Sequence, residues 1–472
     1  MPLSLPNVAV TFGMPLFTHA FRLAKSSRVS HFFKPTSPYL LRYLSSTSKK
    51  MTSLKAADRL SGQPGSVWVE FIALANETKS INLGQGFPNF APPDNIVTDL
   101  VEATTNSGPL MNQYTRAGGH PRLVKIVSEM YGEYFNRKID PMTEVLVSVG
   151  AYGSLYYALM SHVNPGDEVI IIEPSFDSYE PVVLMAGGKP RHVPLRPARD
   201  DVESTADWKL DKAELEAAFT EKTKAIVVNS PNNPLGKVFT YEELETVADL
   251  CKKYDILCIS DEVYEHMVYD GNKHLRMASC FPDMWERTIT TYSAGKIFCA
   301  TGWRLGWSIG PPHLIKNMMT IHQNCVFTCA TPLQEAVARG LELEMSRRDT
   351  PECFFNSTVS ALDAKRTKME KWLREANLSP MVPEGGYFML ARIDDKDVDL
   401  SGFGDGPRDY KFVRYLMKTQ GVATIPCSAF FGPAHKDIGE KYIRFCFIKE
   451  DETIDAAGQR LVEWSKTLQK ST

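Results

Sequence analysis

Short apolar runs rich in β-branched residues alternate with helical stretches from about residue 95 to residue 345, and this alternation limits the fold more than any other feature. The clearest runs are EVLVSV, DEVIII, AIVVN, ILCIS and RTITTYS, and the pattern YEELETVADLCKKY is typical of the intervening helices. Strands that alternate with helices build a mainly parallel sheet with helices on its faces. The sequence therefore predicts an α/β fold for residues 96–345.

The pattern changes after about residue 350. A long charged helical stretch, STVSALDAKRTKMEKWLREANL, leads into PEGGYFMLARI and later KYIRFCFIKEDE, which are typical of antiparallel strands flanked by helices. We expect residues 346–472 to form a smaller α+β domain. Residues 51–95 would join it from the N-terminal side as an arm and as part of that domain.

Composition excludes several classes of protein. Hydrophobic residues make up 43% and charged residues 23% of the 472 positions, as in globular chains with a large core, and the net charge of −3 shows no basic excess for nucleic acid. Residues 145–163 lack Asp, Glu, Lys and Arg and are long enough to span a bilayer. Their glycines, serines and His162 favour a buried strand, a tight turn and a helix start. We therefore expect neither a nucleic-acid nor a membrane partner.

The first fifty residues differ from the rest of the chain. Residues 1–50 contain seven basic side chains and no acidic one, whereas the remainder has 46 basic and 56 acidic residues. A basic, acid-free leader that is amphipathic when helical is typical of a mitochondrial transit peptide. We expect residues 1–50 to be removed in the mitochondrial matrix and Met51 to start a shorter, cytosolic form. A disordered tail without targeting function is the alternative.

The nine cysteines are scattered from Cys251 to Cys446 without a CxxC pair, which favours a reducing compartment. His322, Cys325 and Cys329 suggest a metal site, but closed zinc sites need four ligands and no second ligand pair lies nearby in the sequence. We therefore predict no metal. No GxGxxG follows a strand, and GxxxxGK[ST] and HExxH are absent.

Two strand ends on the predicted sheet carry candidate ligand-binding groups. The small residues of GAYGS (150–154) follow EVLVSV, where backbone N–H groups could approach an anion at a helix N-terminus or could simply form a turn. Asp261 ends ILCIS, at the edge where parallel sheets bind ligands, and the alternative role for its carboxylate is a helix N-cap.

Three basic residues complete the set of candidates. Lys296 follows RTITTYS among small residues, and a partly desolvated lysine can form a Schiff base with an aldehyde; a surface lysine is the alternative. Arg304, eight residues later, could bind a phosphate. Arg444 lies in an apolar strand and needs an anionic partner, either a ligand carboxylate or an internal Asp or Glu. A phosphate cradle, an acid, a lysine and a carboxylate-binding arginine are the parts needed to hold pyridoxal phosphate and an amino acid.

With these parts in order, the chain resembles the fold-type I, class I pyridoxal-phosphate-dependent aminotransferases. It most resembles the kynurenine aminotransferases, also called glutamine transaminase K or cysteine-S-conjugate β-lyase. The resemblance covers about residues 55–466 and implies pyridoxal 5'-phosphate as cofactor, a homodimer, and a large domain with a mainly parallel sheet of seven-stranded type beside a smaller α+β domain. It is carried by SVWVEF, NLGQGFPNF, NQYTRAGGHPRL, SVGAYGSLYY, EPSFDSYEP, NSPNNPLGKVF, SDEVYEHMVYD, YSAGKIFCATGWRLGW, CATPLQEA, PEGGYFML and YIRFCFIKED.

The resemblance also implies roles for individual residues around the cofactor. Lys296 would hold it covalently and carry the proton between the substrate α-carbon and the cofactor, while Asp261 would pair with its ring nitrogen. Tyr264 and Asn233 would bind the ring hydroxyl. The remaining cofactor contacts would come from Ala151, Tyr152, Phe176, Ser293 and Arg304, with Tyr114 reaching across from the other subunit.

On the substrate side, the resemblance implies that Arg444 holds the carboxylate with help from Asn233 and the Gly86 backbone, while Asn229 supports the pocket. Aromatic walls for the side chain would come from Trp68, Tyr152 and Phe327. Two positions depart from some relatives: Thr328 stands where they carry His, and Arg304 where they carry Lys. Phosphate binding tolerates Arg304, whereas Thr328 leaves the side-chain preference open.

The leading expectation is a transaminase that moves the amino group of L-kynurenine, another large aromatic or sulfur amino acid, or glutamine to a 2-oxo acid, which yields kynurenate from kynurenine. The alternative at the same site is β-elimination from cysteine conjugates, which needs no oxo acid. A remote alternative is a regulator with a disabled aminotransferase fold. Lys296, Asp261 and Arg444 are all present, and the leader is too short for a winged helix, so this last hypothesis is disfavoured.

Overall fold

The computed structural model describes residues 57–60 and 65–469. The expected transit peptide and Met51 lie outside the described residues. The strands are β1 (Ile81–Asn82), β2 (Val145–Ser148), β3 (Glu168–Glu173), β4 (Lys189–Pro197), β5 (Trp208–Leu210), β6 (Thr223–Asn229), β7 (Leu257–Asp261), β8 (Thr288–Ser293), β9 (Gly306–Ile309), β10 (Ser379–Met381), β11 (Phe388–Arg392), β12 (Val422–Ala423), β13 (Ile425–Pro426) and β14 (Tyr442–Cys446).

Helices follow most of these strands. They are α1 (Val67–Thr78), α2 (Asp94–Thr105), α3 (Pro121–Tyr134), α4 (Gly150–His162), α5 (Tyr179–Met185), α6 (Lys212–Ala218), α7 (Tyr241–Tyr254), α8 (Met277–Cys280), α9 (Ala294–Ile297), α10 (Pro312–Cys325), α11 (Thr331–Ser346), α12 (Phe354–Glu375), α13 (Arg408–Tyr415), α14 (Lys436–Gly439) and α15 (Asp451–Gln469).

The large sheet has eight strands in the order β2-β9-β8-β7-β6-β3-β4-β5. The neighbours from β8 through β7, β6 and β3 to β4 are parallel, and β9 runs antiparallel between β2 and β8. The α/β class and the mainly parallel sheet are thus confirmed, and all five predicted runs lie in it. The sheet exceeds the expected seven-stranded type by one strand because the short β5 adds antiparallel to β4 at the edge.

Local sequence explains where these elements begin and end. Helix α7 has the bounds predicted from its pattern, because Thr240 and Glu243 form a capping box at its start and Asp255 adopts a left-handed conformation at its end. The uncharged run 145–163 is a strand followed by a helix, as predicted, with Gly150 at φ 66° where the helix begins. Within the described residues, no helix is long and apolar enough to cross a membrane.

A second sheet forms in the C-terminal part of the chain, with antiparallel strands in the order β10-β11-β14-β13. In its centre, Arg444 on β14 lies opposite Leu390 on one side and Ile425 on the other. The N-terminal strand β1 pairs with β12, which brings the segment after residue 82 beside this sheet. Residues from Asp58 onward form one compact unit, and the predicted boundaries between a large and a small domain stay a prediction.

Candidate active site

One edge of the large sheet collects the predicted site residues. Strands β2, β3, β6, β7 and β8 run in the same direction, so their carboxyl ends meet at this edge, where open parallel sheets bind ligands. A cavity opens there between the two sheets. It is lined by Trp68, Gly86, Ala151, Tyr152, Leu155, Phe176, Asn229, Asn233, Asp261, Val263, Tyr264, Ser293, Lys296, Arg304, Phe388 and Arg444.

Asp261 is the last residue of β7 and is buried at the cavity floor. Burial raises the pKa of its carboxyl to about 6, although the Tyr179 hydroxyl opposes this by donating to Oδ2 at 2.6 Å. The alternative role as a helix N-cap is wrong, because the chain continues into a turn after Asp261 and not into a helix. A carboxyl with this pKa can share a proton with a basic ring nitrogen.

Lys296 lies in the short helix α9 and faces the cavity. Its Nζ donates to the Tyr387 hydroxyl and, at 3.4 Å, to the Gly86 carbonyl. Burial lowers the pKa of this amine to about 8. The alternative of an ordinary surface lysine is therefore wrong, and the amine is available as a nucleophile near neutral pH.

The start of helix α4 and the Arg304 guanidinium form an anion site. Gly150 has φ 66°, a left-handed conformation that favours glycine, and a Cβ there would lie 2.9 Å from Nη2 of Arg304. The first N–H groups of the helix, at Ala151 and Tyr152, have no partner within the helix and face the same cavity as Arg304 and Ser293. This arrangement fits a phosphate group.

Arg444 is only 1% exposed, yet no carboxylate of the described residues pairs with it. Its Nη1 donates to Oδ1 of Asn233 at 2.8 Å and its Nη2 to the Gly84 carbonyl at 2.9 Å, while Nε has no hydrogen-bond partner among the described residues. The alternative of an internal salt bridge is wrong. A buried cation bound only by neutral groups at a cavity wall is suited to an anionic ligand.

Two asparagines connect Arg444 with the large sheet. The backbone N–H of Asn233 donates to Oδ1 of Asn229 at 2.7 Å, and Nδ2 of Asn229 donates to the Asp261 carbonyl at 2.9 Å. Because Asn233 also accepts from Arg444, the chain of bonds runs from the guanidinium to the strand that carries Asp261. Asn229, which is predicted to support the pocket, is the middle residue of this chain of hydrogen bonds.

Aromatic rings form the remaining walls. Trp68 on α1 lies against the Arg444 guanidinium, with 5.4 Å from Cζ to its ring centroid, and its Nε1 donates to Asp177 at 2.7 Å. Phe176 and Tyr152 meet edge to face with centroids 5.8 Å apart. Tyr264 is buried beside Lys296, whose Nζ lies 5.5 Å from its ring centroid, and burial raises the pKa of its hydroxyl.

Two predicted residues do not line this cavity. Tyr114 is 84% exposed and Phe327 is 46% exposed, and their rings meet edge to face with centroids 5.4 Å apart at the surface. Thr328, next to Phe327, donates to the Arg116 carbonyl at 3.3 Å. The roles of Tyr114 and Phe327 toward cofactor and substrate stay predictions.

Three residues of the site were not singled out from the sequence. Tyr179 donates to Asp261, Tyr387 joins Lys296 to the Gly86 carbonyl, and Phe388 lies under Arg444 with 3.9 Å from Cζ to its ring centroid. All three lie in stretches that carry the family resemblance, EPSFDSYEP and PEGGYFML. Their positions give no chemical signal, because each becomes functional only through contact with a distant part of the chain.

The described residues contain no cluster of His, Cys, Asp or Glu that could hold a metal ion, and all nine cysteines are free. His322, which lies near Cys325 and Cys329 in the sequence, is buried and bonds through Nε2 to the Ala117 carbonyl at 2.9 Å.

Comparison with known proteins identifies the family. A family model for aminotransferases of class I and II matches residues 78–461. The chain belongs to the class I and II aminotransferases. Among curated relatives, kynurenine–oxoglutarate transaminase 3 of Homo sapiens is 48% identical over 452 residues, which cover 95% of this chain and 98% of the relative.

Solved structures agree with the assignment of this chain to the aminotransferase family. Bna3p from Saccharomyces cerevisiae superposes with a TM-score of 0.81 at 31% identity, and the alignment covers 88% of this chain and 99% of the Bna3p chain. N-succinyldiaminopimelate aminotransferase from Mycobacterium tuberculosis superposes with a TM-score of 0.78 at 36% identity, and the alignment covers 87% of this chain and 100% of that enzyme's chain. Relatives named for different substrates therefore share the fold, so the substrate must be decided by side chains in the cavity.

The family depends on pyridoxal phosphate, and the cavity fits that cofactor. The cradle of Gly150 and Arg304 suits its phosphate, and the Asp261 carboxyl suits its ring nitrogen. The Lys296 amine, with its lowered pKa, suits its aldehyde.

Proposed function

We propose that this aminotransferase uses pyridoxal 5'-phosphate to move the amino group of L-kynurenine to a 2-oxo acid. The observation that carries the proposal is Arg444, a buried cation without a carboxylate partner in the described chain, in the cavity that also holds Lys296 and Asp261. The high identity to a relative named for kynurenine and oxoglutarate supports the choice of substrates.

The chain's own residues would prepare the cofactor in four ways. Arg304, Ser293 and the first N–H groups of α4 would bind its phosphate, and Asp261 would keep a proton on its ring nitrogen. Tyr264 and Asn233 would bind its ring hydroxyl, and Phe176 would cover its ring. When bound, pyridoxal phosphate supplies an aldehyde that joins to amines and a ring that withdraws electrons.

Lys296 would then serve as the base. Its Nζ would take the proton from the α-carbon of the amino donor and later release it, and a pKa of about 8 allows both steps near neutral pH. In this structure, the Tyr387 hydroxyl and the Gly86 carbonyl hold this amine in place.

Arg444 would bind the carboxylate of both substrates, because amino acids and 2-oxo acids present the same planar group to its fork. Trp68 and Tyr152 would pack against the side chain, and their flat faces suit a large aromatic donor such as kynurenine.

We further propose a homodimer. Tyr114 and Phe327 form an exposed aromatic pair outside the cavity of their own chain, and a second copy would bring such residues to the site. Mixing inactive Lys296→Ala with a Tyr114→Phe variant would form hybrid dimers with one intact site. Regained activity is the expected result, and its absence in verified hybrids would contradict a shared site.

A panel of initial rates tests the choice of substrates. The purified protein with pyridoxal phosphate should convert L-kynurenine only when a 2-oxo acid is present, and kynurenate should form. A cysteine conjugate supplied without an oxo acid distinguishes β-elimination from transamination, because only β-elimination then releases pyruvate. Rapid turnover of other donors with no kynurenate would show that kynurenine is not a substrate.

For residues 1–50, we propose a mitochondrial transit peptide, with a cytosolic form starting at Met51. The support is the absence of acidic residues before Asp58. A fluorescent reporter fused to residues 1–50 should enter mitochondria, and a diffuse cytosolic reporter would contradict the proposal.

A further inference from the structure

Lys449 is a buried lysine outside the residues assigned so far. It is 1% exposed, and no carboxylate of the described residues pairs with it. Its Nζ donates to the carbonyls of Gln85 at 3.1 Å and Phe87 at 2.8 Å, and lies 4.2 Å from the Phe87 ring centroid. Burial lowers the pKa of this amine. Burying a charge is costly, and these two carbonyls are the groups that stabilise the ammonium.

The segment it binds, residues 84–87, carries two carbonyls of the active site. The Gly84 carbonyl accepts from Arg444 at 2.9 Å, and the Gly86 carbonyl accepts from Tyr387 at 2.9 Å and from Lys296 at 3.4 Å. Successive carbonyls thus alternate between the site and Lys449. A Cβ at Gly86 would lie 2.5 Å from the Phe388 ring, so the segment fits only in close contact with that wall.

Backbone N–H groups of the segment are also hydrogen-bonded. Oδ1 of Asn82 accepts from the N–H groups of Gly84 at 3.1 Å and Gln85 at 3.0 Å. Asn82 therefore fixes the start of the segment, and Lys449 fixes its middle and end. Without Lys449, the Gln85 and Phe87 carbonyls would lose their charged donor, and the segment could rotate its Gly84 and Gly86 carbonyls away from the site.

We propose that Lys449 is a positioning residue, which fixes residues 84–87 so that Gly84 and Gly86 orient Arg444 and Lys296. This inference rests on the proposed function, because it names the device that holds that site. Lys449 does not line the cavity and acts through the two carbonyls.

Lys237 provides a matched control. It is also a fully buried lysine, but its Nζ pairs with the Glu243 carboxylate at 3.1 Å, at the start of α7. Replacing Lys237 with Met removes a buried charge without touching residues 84–87. Its loss should lower stability alone, whereas loss of Lys449 should change the site.

The experiment compares Lys449→Met, Lys449→Arg and Lys237→Met in the cofactor-loaded enzyme. In Lys449→Met, KM for amino donor and oxo acid and the dissociation constant of 3-phenylpropanoate, an unreactive carboxylate, should rise about 10-fold to 100-fold, as expected for a misplaced site. In the cofactor-free protein, where the Lys296 amine is free, its pKa should fall, as measured by the pH dependence of its reaction with added pyridoxal phosphate, because the Gly86 carbonyl no longer favours the protonated amine. Lys449→Arg, which keeps a charged donor, should retain most of the wild-type behaviour in both measurements.

Equal constants in Lys449→Met and wild type, or the same changes in Lys237→Met, would overturn the proposal. If Lys449→Met does not fold, Lys449→Gln, which keeps a neutral amide donor group but loses the charge and the length of lysine, decides by the same constants: weaker carboxylate binding supports the proposal and wild-type binding overturns it. Binding of 3-phenylpropanoate is measured without turnover. A wild type that binds it but transaminates nothing would therefore contradict the proposed function and leave the effect of Lys449 measurable.

Discussion

Two buried arginines in the C-terminal half have similar surroundings but different partners. Arg366 on α12 is 6% exposed and binds Asp270 through both Nη atoms at 2.6 and 2.7 Å, and Asp363 through Nε at 2.9 Å. Arg444 on β14 is more deeply buried, and its hydrogen bonds reach only an amide and a carbonyl. Both guanidinium groups lie over an aromatic ring, of Tyr269 and Phe388 respectively.

The difference separates a structural region from a functional one. Around Arg366 each charge meets an opposite charge, so the region is complete without a ligand. Around the cavity, Arg444, Lys296 and Asp261 form no ion pair with any described residue, and burial shifts the pKa of all three toward the neutral form. The fold tolerates such groups where a cofactor or substrate supplies the missing charge.

The largest effect should follow loss of the cavity lysine. Lys296→Ala removes both the amine that holds the aldehyde and the base, so turnover should fall by about 10⁴-fold or more. The protein should stay folded and bind pyridoxal phosphate noncovalently, as measured by circular dichroism and absorbance. A turnover number close to that of the wild type would exclude Lys296 as the base.

Arg444→Ala should affect amino-acid and oxo-acid substrates alike. The expected loss in kcat/KM is about 2–5 kcal/mol, because charge-assisted bidentate bonds to the carboxylate disappear. Cofactor absorbance should persist, and the midpoint of thermal unfolding should change little, because removal of a buried charge without a counter-ion offsets the loss of the hydrogen bonds to Asn233 and Gly84. Unchanged kcat/KM for both substrates would remove Arg444 from the site.

Arg366→Ala should show the opposite profile. It leaves Asp270 and Asp363 without their partner and should lower the free energy of unfolding by roughly 2–3 kcal/mol, while KM stays at the wild-type value. Urea unfolding and initial rates on the same preparation measure both effects. A large rise in KM at unchanged stability would contradict the division into structural and functional charges.

Asp261→Asn should stabilise the cofactor-free protein as pH rises. The folded pKa of about 6 exceeds the ordinary value of 3.8, so the fold loses stability between those values and bears the full cost of the buried charge above pH 6. Asparagine avoids roughly 2–3 kcal/mol of that cost and should remain more stable near pH 8, yet lose activity. Equal urea midpoints for variant and wild type near pH 8 would contradict this account.

The sequence predicted the wall formed by the large sheet better than the opposite wall. Asp261, Ser293 and Lys296 follow apolar runs whose strand character is visible locally, and parallel order then brings their ends to one edge. The opposite wall depends on contacts such as that between Arg444 and Gly84, which are 360 residues apart in the chain. No local pattern reports such a contact, which is why Tyr387 and Lys449 were not assigned.

Edge strands show the same limit on a smaller scale. The short β5 contains Trp208, which is buried because it packs beneath the sheet edge and donates to the sulfur of Met381 at 3.1 Å. Three residues carry too little pattern to predict a strand, and tertiary packing decides their conformation.

The central claim is that the charged groups of the cavity that lack counter-ions are those that bind cofactor and substrate. The most direct test is to identify the lysine that holds the cofactor. Borohydride reduction of the cofactor-loaded wild type, followed by digestion and mass spectrometry, identifies the amine that holds the aldehyde. We predict that the cofactor's mass is found on the peptide that contains Lys296. A cofactor fixed to another lysine, or a loaded protein with no labelled peptide, would contradict the account.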